Sequence, residues 1–324
     1  MKRFLVIQTA FIGDVILATA LIEQLHNHFP EAKIDVLVRK GNEGLLQQHP
    51  FIHEVVIWNK KQNKLRNLFK LIRTIRSSNY DEVINLQRFL ATGLLSAFSG
   101  GKVISGFKKN PLSFLFTHKV AHQIGNGKHE VERNLKLIEH LCEPAFSAPR
   151  LYPSTNDYEK VKAHQSLPYV CMAPASVWFT KQLPEEKWTK LIDKINTDYS
   201  IYLIGAPGDL ALCERIKTNS KHPNVKILAG QLSFLESAAL MEKAKMNYVN
   251  DSAPLHIASA MNAPTTAFFC STLPEFGFGP LTENATVLET QLKLNCRPCG
   301  LHGKKACPEN HFNCAHSIEL PASP

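Results

Sequence analysis

The feature that most constrains this 324-residue chain is one alternation of segments that runs twice. Short runs that are apolar throughout alternate with stretches whose apolar residues recur every three or four positions. In the first series the runs are residues 3–8 (RFLVIQ), 33–38 (KIDVLV), 55–58, 82–86 (EVINL) and 102–106. Between them, Val15, Ile16, Leu17, Ala20, Leu21, Ile22 and Leu25 keep helical spacing up to Pro30, and Leu65, Leu68, Phe69, Ile72 and Ile75 share a helical face. Strands apolar on both sides need cover on both sides, so the pattern predicts a parallel sheet between two helical layers. Residues 143–155 (EPAFSAPRLYPST) hold three prolines and little periodicity, which marks a linker. The alternation restarts with strands at 169–173 (YVCMA), 200–204, 225–228, 247–250 and 265–269, and helices at 185–195, 209–218, 234–243 and 254–261. The expected fold is α/β, with two doubly wound, Rossmann-like domains over 1–150 and 151–324.

Several function classes drop out. Neither half contains G-x-G-x-x-G, so a dinucleotide fingerprint is absent. Lys2 and Arg3 before an apolar run imitate a secretion signal, but Gly13 and Asp14 interrupt the run and no small-residue cleavage site follows. No other stretch reaches the roughly 18 to 20 apolar residues that span a bilayer. The expectation is a cytoplasmic chain, soluble or peripheral, with reduced thiols. Residues 1–150 hold 21 Lys+Arg against 12 Asp+Glu, so all of the net +9 lies there, and residues 151–324 hold 16 of each. That bias implies an anionic partner for the first half: a phosphorylated lipid, a membrane surface or nucleic acid.

Five segments could carry chemistry. The turn Phe11-Ile12-Gly13-Asp14 leaves the first strand at the end where α/β sheets bind ligands. Asp14 there can be a general base with Gly13 allowing close backbone approach, or simply an acid favouring the helix dipole, which from spacing alone is the commoner role. The loop 173–184 (APASVWFTKQLP) offers Ser176 and Lys181 to a diphosphate, or is an ordinary surface loop with a solvated lysine. In Asn250-Asp251-Ser252-Ala253-Pro254-Leu255-His256, Asp251 or Ser252 can cap a helix whose start would receive an anion, with His256 one turn in. Cys296, Cys299, Cys307 and Cys314 could hold a structural zinc, although the spacing matches no standard pattern closely and free thiols are the alternative. Finally, Lys60, Lys61, Lys64, Arg66, Lys70, Arg73 and Arg76 run without an acid beside an apolar stripe. They make a cationic amphipathic helix able to lie on anionic lipid, or an ordinary exposed face. Arg88 and Lys108, with Lys109, could bind acceptor phosphates.

Four of these stretches, in this order, resemble the ADP-heptose:lipopolysaccharide heptosyltransferases, glycosyltransferase family 9. FLVIQTAFIGDVILATALIEQL resembles the family's N-terminal motif and APASVWFTKQLPEEKW its donor-phosphate loop. NDSAPLHIASAMNAPTTAFFCSTLPEFGFGPL is similar to its Asp-Ser/Thr-Gly-x-x-His segment, and CRPCGLHGKKACPENHFNC to the cysteine-rich tails of many members. The resemblance implies a GT-B fold whose two domains face a central cleft, with acceptor on the first domain and donor on the second. It makes Asp14 the base that deprotonates the acceptor hydroxyl. Ser176, Lys181, Asp251, Ser252 and His256 would hold the donor diphosphate, and the stretch of Gly230, Gln231, Leu232 and Ser233 would run near the nucleobase. It implies an inverting, direct transfer of heptose from ADP-heptose to a lipopolysaccharide inner core. No cofactor would be required for catalysis, no nucleic acid is expected as partner, and the chain would work peripherally at the inner face of the cytoplasmic membrane. A family member using another nucleotide sugar, or a non-catalytic anionic-lipid-binding protein, are the alternatives. Two departures stand out: Ala253 replaces the family's usual glycine, and the chain stops soon after residues 316–320, where members usually add a closing helix.

Overall fold

The computed structural model describes residues 1–60 and 63–323. The chain divides into two compact units, Met1–Tyr152 and Pro153–Pro324, so the break lies inside the proline-rich stretch.

In the first unit the strands are β1 (Arg3–Ile7), β2 (Lys33–Arg39), β3 (Ile52–Trp58), β4 (Glu82–Asn85), β5 (Val103–Phe107) and β6 (His118–Val120). They form one sheet in the order β3-β2-β1-β4-β5-β6, and every pairing is parallel. The helices are α1 (Ile12–His28), α2 (Lys64–Ser77), α3 (Leu90–Ala97) and α4 (Glu130–Leu135). Every residue of α1 from Val15 to Leu25 is buried, as expected of a helix packed on several sides. On the β3 side, Leu5, Ile7, Leu37 and Trp58 of the sheet pack against Leu68, Leu71 and Ile75 of α2 and Leu95 of α3.

The second unit opens with α5 (Thr155–Val161) and repeats the plan. Its strands are β7 (Tyr169–Ala173), β8 (Ser200–Leu203), β9 (Val225–Ile227), β10 (Met246–Asn250), β11 (Thr265–Phe269) and β12 (Ala285–Glu289). The order is β12-β11-β10-β7-β8-β9, again all parallel. Its helices continue as α6 (Glu185–Ile192), α7 (Leu210–Asn219), α8 (Phe234–Glu242), α9 (Ala253–Ala260) and α10 (Asn313–His316). Trp188 of α6 meets Phe268 of β11 edge to face at 5.4 Å inside its core.

Both orders are those of a doubly wound sheet. The chain reverses its winding between β1 and β4 in the first unit and between β7 and β10 in the second. At such a switch point, neighbouring loops diverge to opposite faces and leave a crevice outside the carboxyl ends of the strands. Strands β6 and β12 escape the apolar-run criterion because they are partly exposed edge strands. Helices α3, α4 and α5 are only six to eight residues long, too short for a clear period.

Candidate active site

The first switch point gathers the loop after β1 and the loop after β4. Gln87 Nε2 donates to Gln8 Oε1 across it at 2.5 Å, and Lys60 Nζ bonds Thr9 O and Oγ1, each at 2.9 Å. Gly13 is the second residue of α1 and Asp14 the third. The Phe11 N–H donates to Asp14 Oδ2 at 3.1 Å, so the carboxylate does satisfy an amide at the helix start. It does more than that. Burial, then the charge of Glu130, push the Asp14 carboxyl up to about 6, against smaller opposing effects of the Phe11 amide and the Arg88 guanidinium. A carboxyl at that value is mostly ionised at neutral pH, so it can take a proton, and it is more basic than an ordinary aspartate.

The surroundings of Asp14 come from segments that carry no sequence signal. Glu130, the first residue of α4, receives His122 Nε2 at 3.0 Å and Arg133 Nε at 2.7 Å. Burial alone would raise its carboxyl, but the His122 and Arg133 interactions outweigh burial and hold it below the ordinary value, so it stays charged. Arg88 Nη1 approaches His122 Nδ1 at 3.4 Å. Arg88, expected from the sequence as a ligand for acceptor phosphates, lies in the Asp14 surroundings, and no sequence signal pointed to Glu130, His122 or Arg133. Lys108 follows β5 at the same sheet edge and is exposed.

The second switch point is framed by the loop after β7 and the loop after β10. Asn250, the buried last residue of β10, clamps the first of these at both ends. Its Nδ2 donates to Pro174 O at 2.8 Å and its Oδ1 accepts from Leu183 N–H at 2.9 Å. Between those ends, Gln182 Nε2 donates to Ser176 O at 2.6 Å. Lys181 is not a solvated lysine. Its Nζ pairs with Asp251 Oδ2 at 2.6 Å, and Thr272 Oγ1 donates to the same oxygen at 2.6 Å. Asp251 therefore does not cap α9. Ser252 occupies the N-cap position, but its hydroxyl turns to Asn250 O at 3.4 Å and makes no capping bond, which corrects the expected cap. His256 is buried in α9, with its ring edge-on to Phe278 at 6.4 Å. Leu232 is half-buried in the loop between β9 and α8. Gly230 beside it has φ of +76°, and a Cβ there would stand 2.8 Å from Pro207 Cα.

Thr180 was also invisible in the sequence. Its buried hydroxyl accepts from Lys304 N–H at 2.8 Å and from Ser271 Oγ at 2.9 Å, while its own N–H donates to Lys304 O at 3.1 Å. The cysteine-rich segment is thereby fastened to the loop that carries Lys181. Arg297 fixes the same segment to the end of β11, donating to Cys270 O at 2.7 Å, Thr272 O at 2.8 Å and Glu289 Oε2 at 2.6 Å.

The four cysteines do not meet at metal-ligand spacing. Among the described residues, Asp35, His53 and Glu54 are the one trio of metal-type side chains with ligand atoms within 4.8 Å of one another. Even there Asp35 is engaged, accepting from Arg3, Tyr80 and His53 at 2.7 to 2.9 Å. Cys299 and Cys314 are buried, Cys296 and Cys307 half-buried, and all four are free. Cys314 packs into the core and Cys296 approaches His311, yet the thiols stay within electrostatic reach of one another: Cys296 and Cys307 act on Cys299, and Cys299, Cys307 and Cys296 on Cys314.

The basic helix also needs correction. Leu68, Leu71 and Ile75 of α2 are spent in the core, so the helix has no free apolar stripe on which to lie flat. Leu65 and Phe69 project outward, with Arg66, Lys70, Arg73 and Arg76 exposed, while Lys61 lies outside the described residues. No helix among the described residues is long and apolar enough to cross a membrane.

Two tandem doubly wound units, one with a tuned carboxyl at its switch point and the other with a lysine-bearing loop, define a two-domain transferase of the GT-B class. Comparison with known proteins sharpens this. Residues 68–310 match the model of glycosyltransferase family 9 (heptosyltransferase). The chain is 31% identical over 280 residues to lipopolysaccharide heptosyltransferase 3 of Escherichia coli, covering 81% of this chain and 82% of that one. A glycosyl transferase family 9 structure from Veillonella parvula superposes with a TM-score of 0.81 at 22% identity, covering 89% of this chain and 86% of that one. The E. coli ADP-heptose lps heptosyltransferase II superposes at 0.78 and 22% identity, covering 98% of each chain. The chain belongs to glycosyltransferase family 9, the heptosyltransferase family, and is a glycosyltransferase.

Proposed function

We propose that this chain transfers a heptose from ADP-heptose to a phosphorylated inner-core acceptor of lipopolysaccharide, the first unit binding acceptor and the second binding donor. The relatives support the sugar and the acceptor class, since they are themselves lipopolysaccharide and ADP-heptose heptosyltransferases. The observation that carries the chemistry is the Asp14 carboxyl, raised to about 6 at a switch point. Asp14 takes the proton of the acceptor hydroxyl as that oxygen bonds to the anomeric carbon. The bond from that carbon to the diphosphate breaks, and its electron pair leaves with ADP, so the sugar inverts. Lys181, held in place by Asp251, and the start of α9 supply positive potential to the departing charge. Ser176, Ser252 and His256 complete the donor pocket, and Leu232 borders the nucleobase. Arg88 and Lys108 receive acceptor phosphates, and a lipid-linked acceptor puts the reaction at the inner membrane face, visited peripherally.

The test is a donor screen with truncated lipopolysaccharide, read by mass. ADP-heptose should add one heptose, and calorimetry should show ADP-heptose bound in preference to UDP-sugars. Transfer from a UDP-sugar alone would reassign the donor. No transfer from any nucleotide sugar would overturn the proposal.

A further inference from the structure

The first unit carries more exposed apolar surface at one edge than acceptor phosphates account for. Leu65 is 68% exposed, Phe69 63%, Phe89 64%, Leu90 53%, Phe114 70% and Leu115 48%. Single exposed apolar residues are ordinary on protein surfaces, but six on one edge call for a partner. In a parallel sheet, every segment that follows a strand begins at the carboxyl edge. Leu65 and Phe69 lie in the first two turns of α2 after β3, and Phe89 and Leu90 open α3 after β4. Phe114 and Leu115 lie in the short turn after β5.

The three segments adjoin. Helices α2 and α3 pack together, Leu68 and Leu71 sharing a cluster with Ala91, Leu94 and Leu95. Asn110 ties the segment after β5 to the one after β4, its Nδ2 donating to Gln87 O at 3.2 Å and Phe89 O at 3.1 Å. A Cβ on Gly93 of α3 would stand 2.3 Å from Asn110 Oδ1, so a side chain there would displace the Asn110 amide from this seam.

Charge selects the partner. Residues 55–129 hold 13 Lys+Arg and two acids, Asp81 and Glu82. Both acids sit at the amino end of β4, away from this edge, and Asp81 is already paired with Lys102. Exposed Arg66, Lys70, Lys108 and Lys109 stand on the same segments as the apolar residues. A second copy of so cationic an edge would repel the first. Aromatic and leucine side chains interleaved with cations are instead the composition that enters the headgroup region of an anionic bilayer.

We infer that the carboxyl edge of the first unit docks on an anionic membrane surface, with Leu65, Phe69, Phe89, Leu90, Phe114 and Leu115 entering the interface. The inference rests on the lipid-linked acceptor proposed above and gives that acceptor its route. The contact is made edge-on by three segments, because α2 has already committed its central stripe to the core.

Co-sedimentation of the full chain with vesicles of phosphatidylcholine, alone or mixed with phosphatidylglycerol, tests it. The parent should bind the mixed vesicles and not the neutral ones, and added salt should weaken binding. Phe114→Ser with Leu115→Ser should weaken vesicle binding by about tenfold or more, and Leu65→Ser with Phe69→Ser provides an independent repeat on α2. Heptose transfer to a deacylated, soluble acceptor should be unchanged in both variants, while transfer to vesicle-embedded acceptor falls. That contrast separates a failed membrane contact from a failed enzyme assignment. Absence of parent binding, equal binding to both vesicle types, or undiminished binding by both variants would each overturn the inference. So would a shift in sedimentation velocity showing that the substitutions break a dimer instead.

Discussion

Asp14→Asn is the substitution that separates the two duties of this carboxyl. Asparagine can still accept from the Phe11 N–H, so the helix start is kept while the charge goes. The carboxyl is raised from 3.8 to about 6 by burial and by Glu130. A shift of about 2 units corresponds to about 3 kcal/mol, and solvent screening at a carboxyl that is only partly buried reduces that to about 1–2 kcal/mol. The sign follows from linkage. A folded-state value above the unfolded one means that stability present below about pH 4 is lost as pH rises through about 6. The asparagine variant, neutral throughout, should therefore be more stable than the parent above pH 6 and close to it near pH 4. For a unit of this size the gain corresponds to a melting shift of about 3–6 °C, measurable by scanning calorimetry at both pH values. Activity should move the opposite way. The parent's kcat/KM should rise about tenfold per pH unit up to about 6 and then level, and the variant should lose about 10²–10⁴-fold at neutral pH. If the melting difference is the same at pH 4.5 and pH 7.5, Asp14 is not a strained carboxylate. If the variant keeps full activity, it is not the base.

Three further substitutions probe the second unit. Lys181→Ala leaves Asp251 buried with Thr272 as its remaining partner, so kcat should fall by about 10²–10³-fold. Melting should drop as well, since breaking a buried pair costs about 3–5 kcal/mol; an unchanged kcat would remove Lys181 from the leaving-group site. Asn250→Ala strands the Leu183 amide and the Pro174 carbonyl, at about 1–3 kcal/mol each. Its donor KM should rise while the break in the pH profile stays in place, and steady-state kinetics would show an unaltered KM if the clamp were irrelevant. Thr180→Val removes the acceptor shared by Lys304 N–H and Ser271, costing about 1–3 kcal/mol. It should open the segment at Lys304 and Lys305 to trypsin, so an unchanged digestion pattern would refute the latch.

The sequence by itself determined the architecture. Strands that are apolar on both faces, repeated with helical intervals between, leave a covered parallel sheet as the way to bury them, and three prolines divide the series near Tyr152. It also singled out Asp14, Lys181 and Asp251, because each lies just beyond an apolar run, where a parallel sheet exposes its carboxyl ends. What it could not supply was pairing. Whether Asp251 caps a helix or holds Lys181 depends on which of two nearby groups reaches it at 2.6 Å, and that distance is set by strands paired 76 residues apart in sequence. The value of Asp14 likewise depends on Glu130, brought close by packing of α4 on α1 and kept charged by His122 and Arg133. Asn250 and Thr180 look like any asparagine and threonine until the fold lays a loop across each of them. Periodicity reads burial because burial is a property of one residue and its neighbours along the chain. A tuned carboxyl and a clamped loop are properties of groups that only tertiary structure brings within hydrogen-bonding distance.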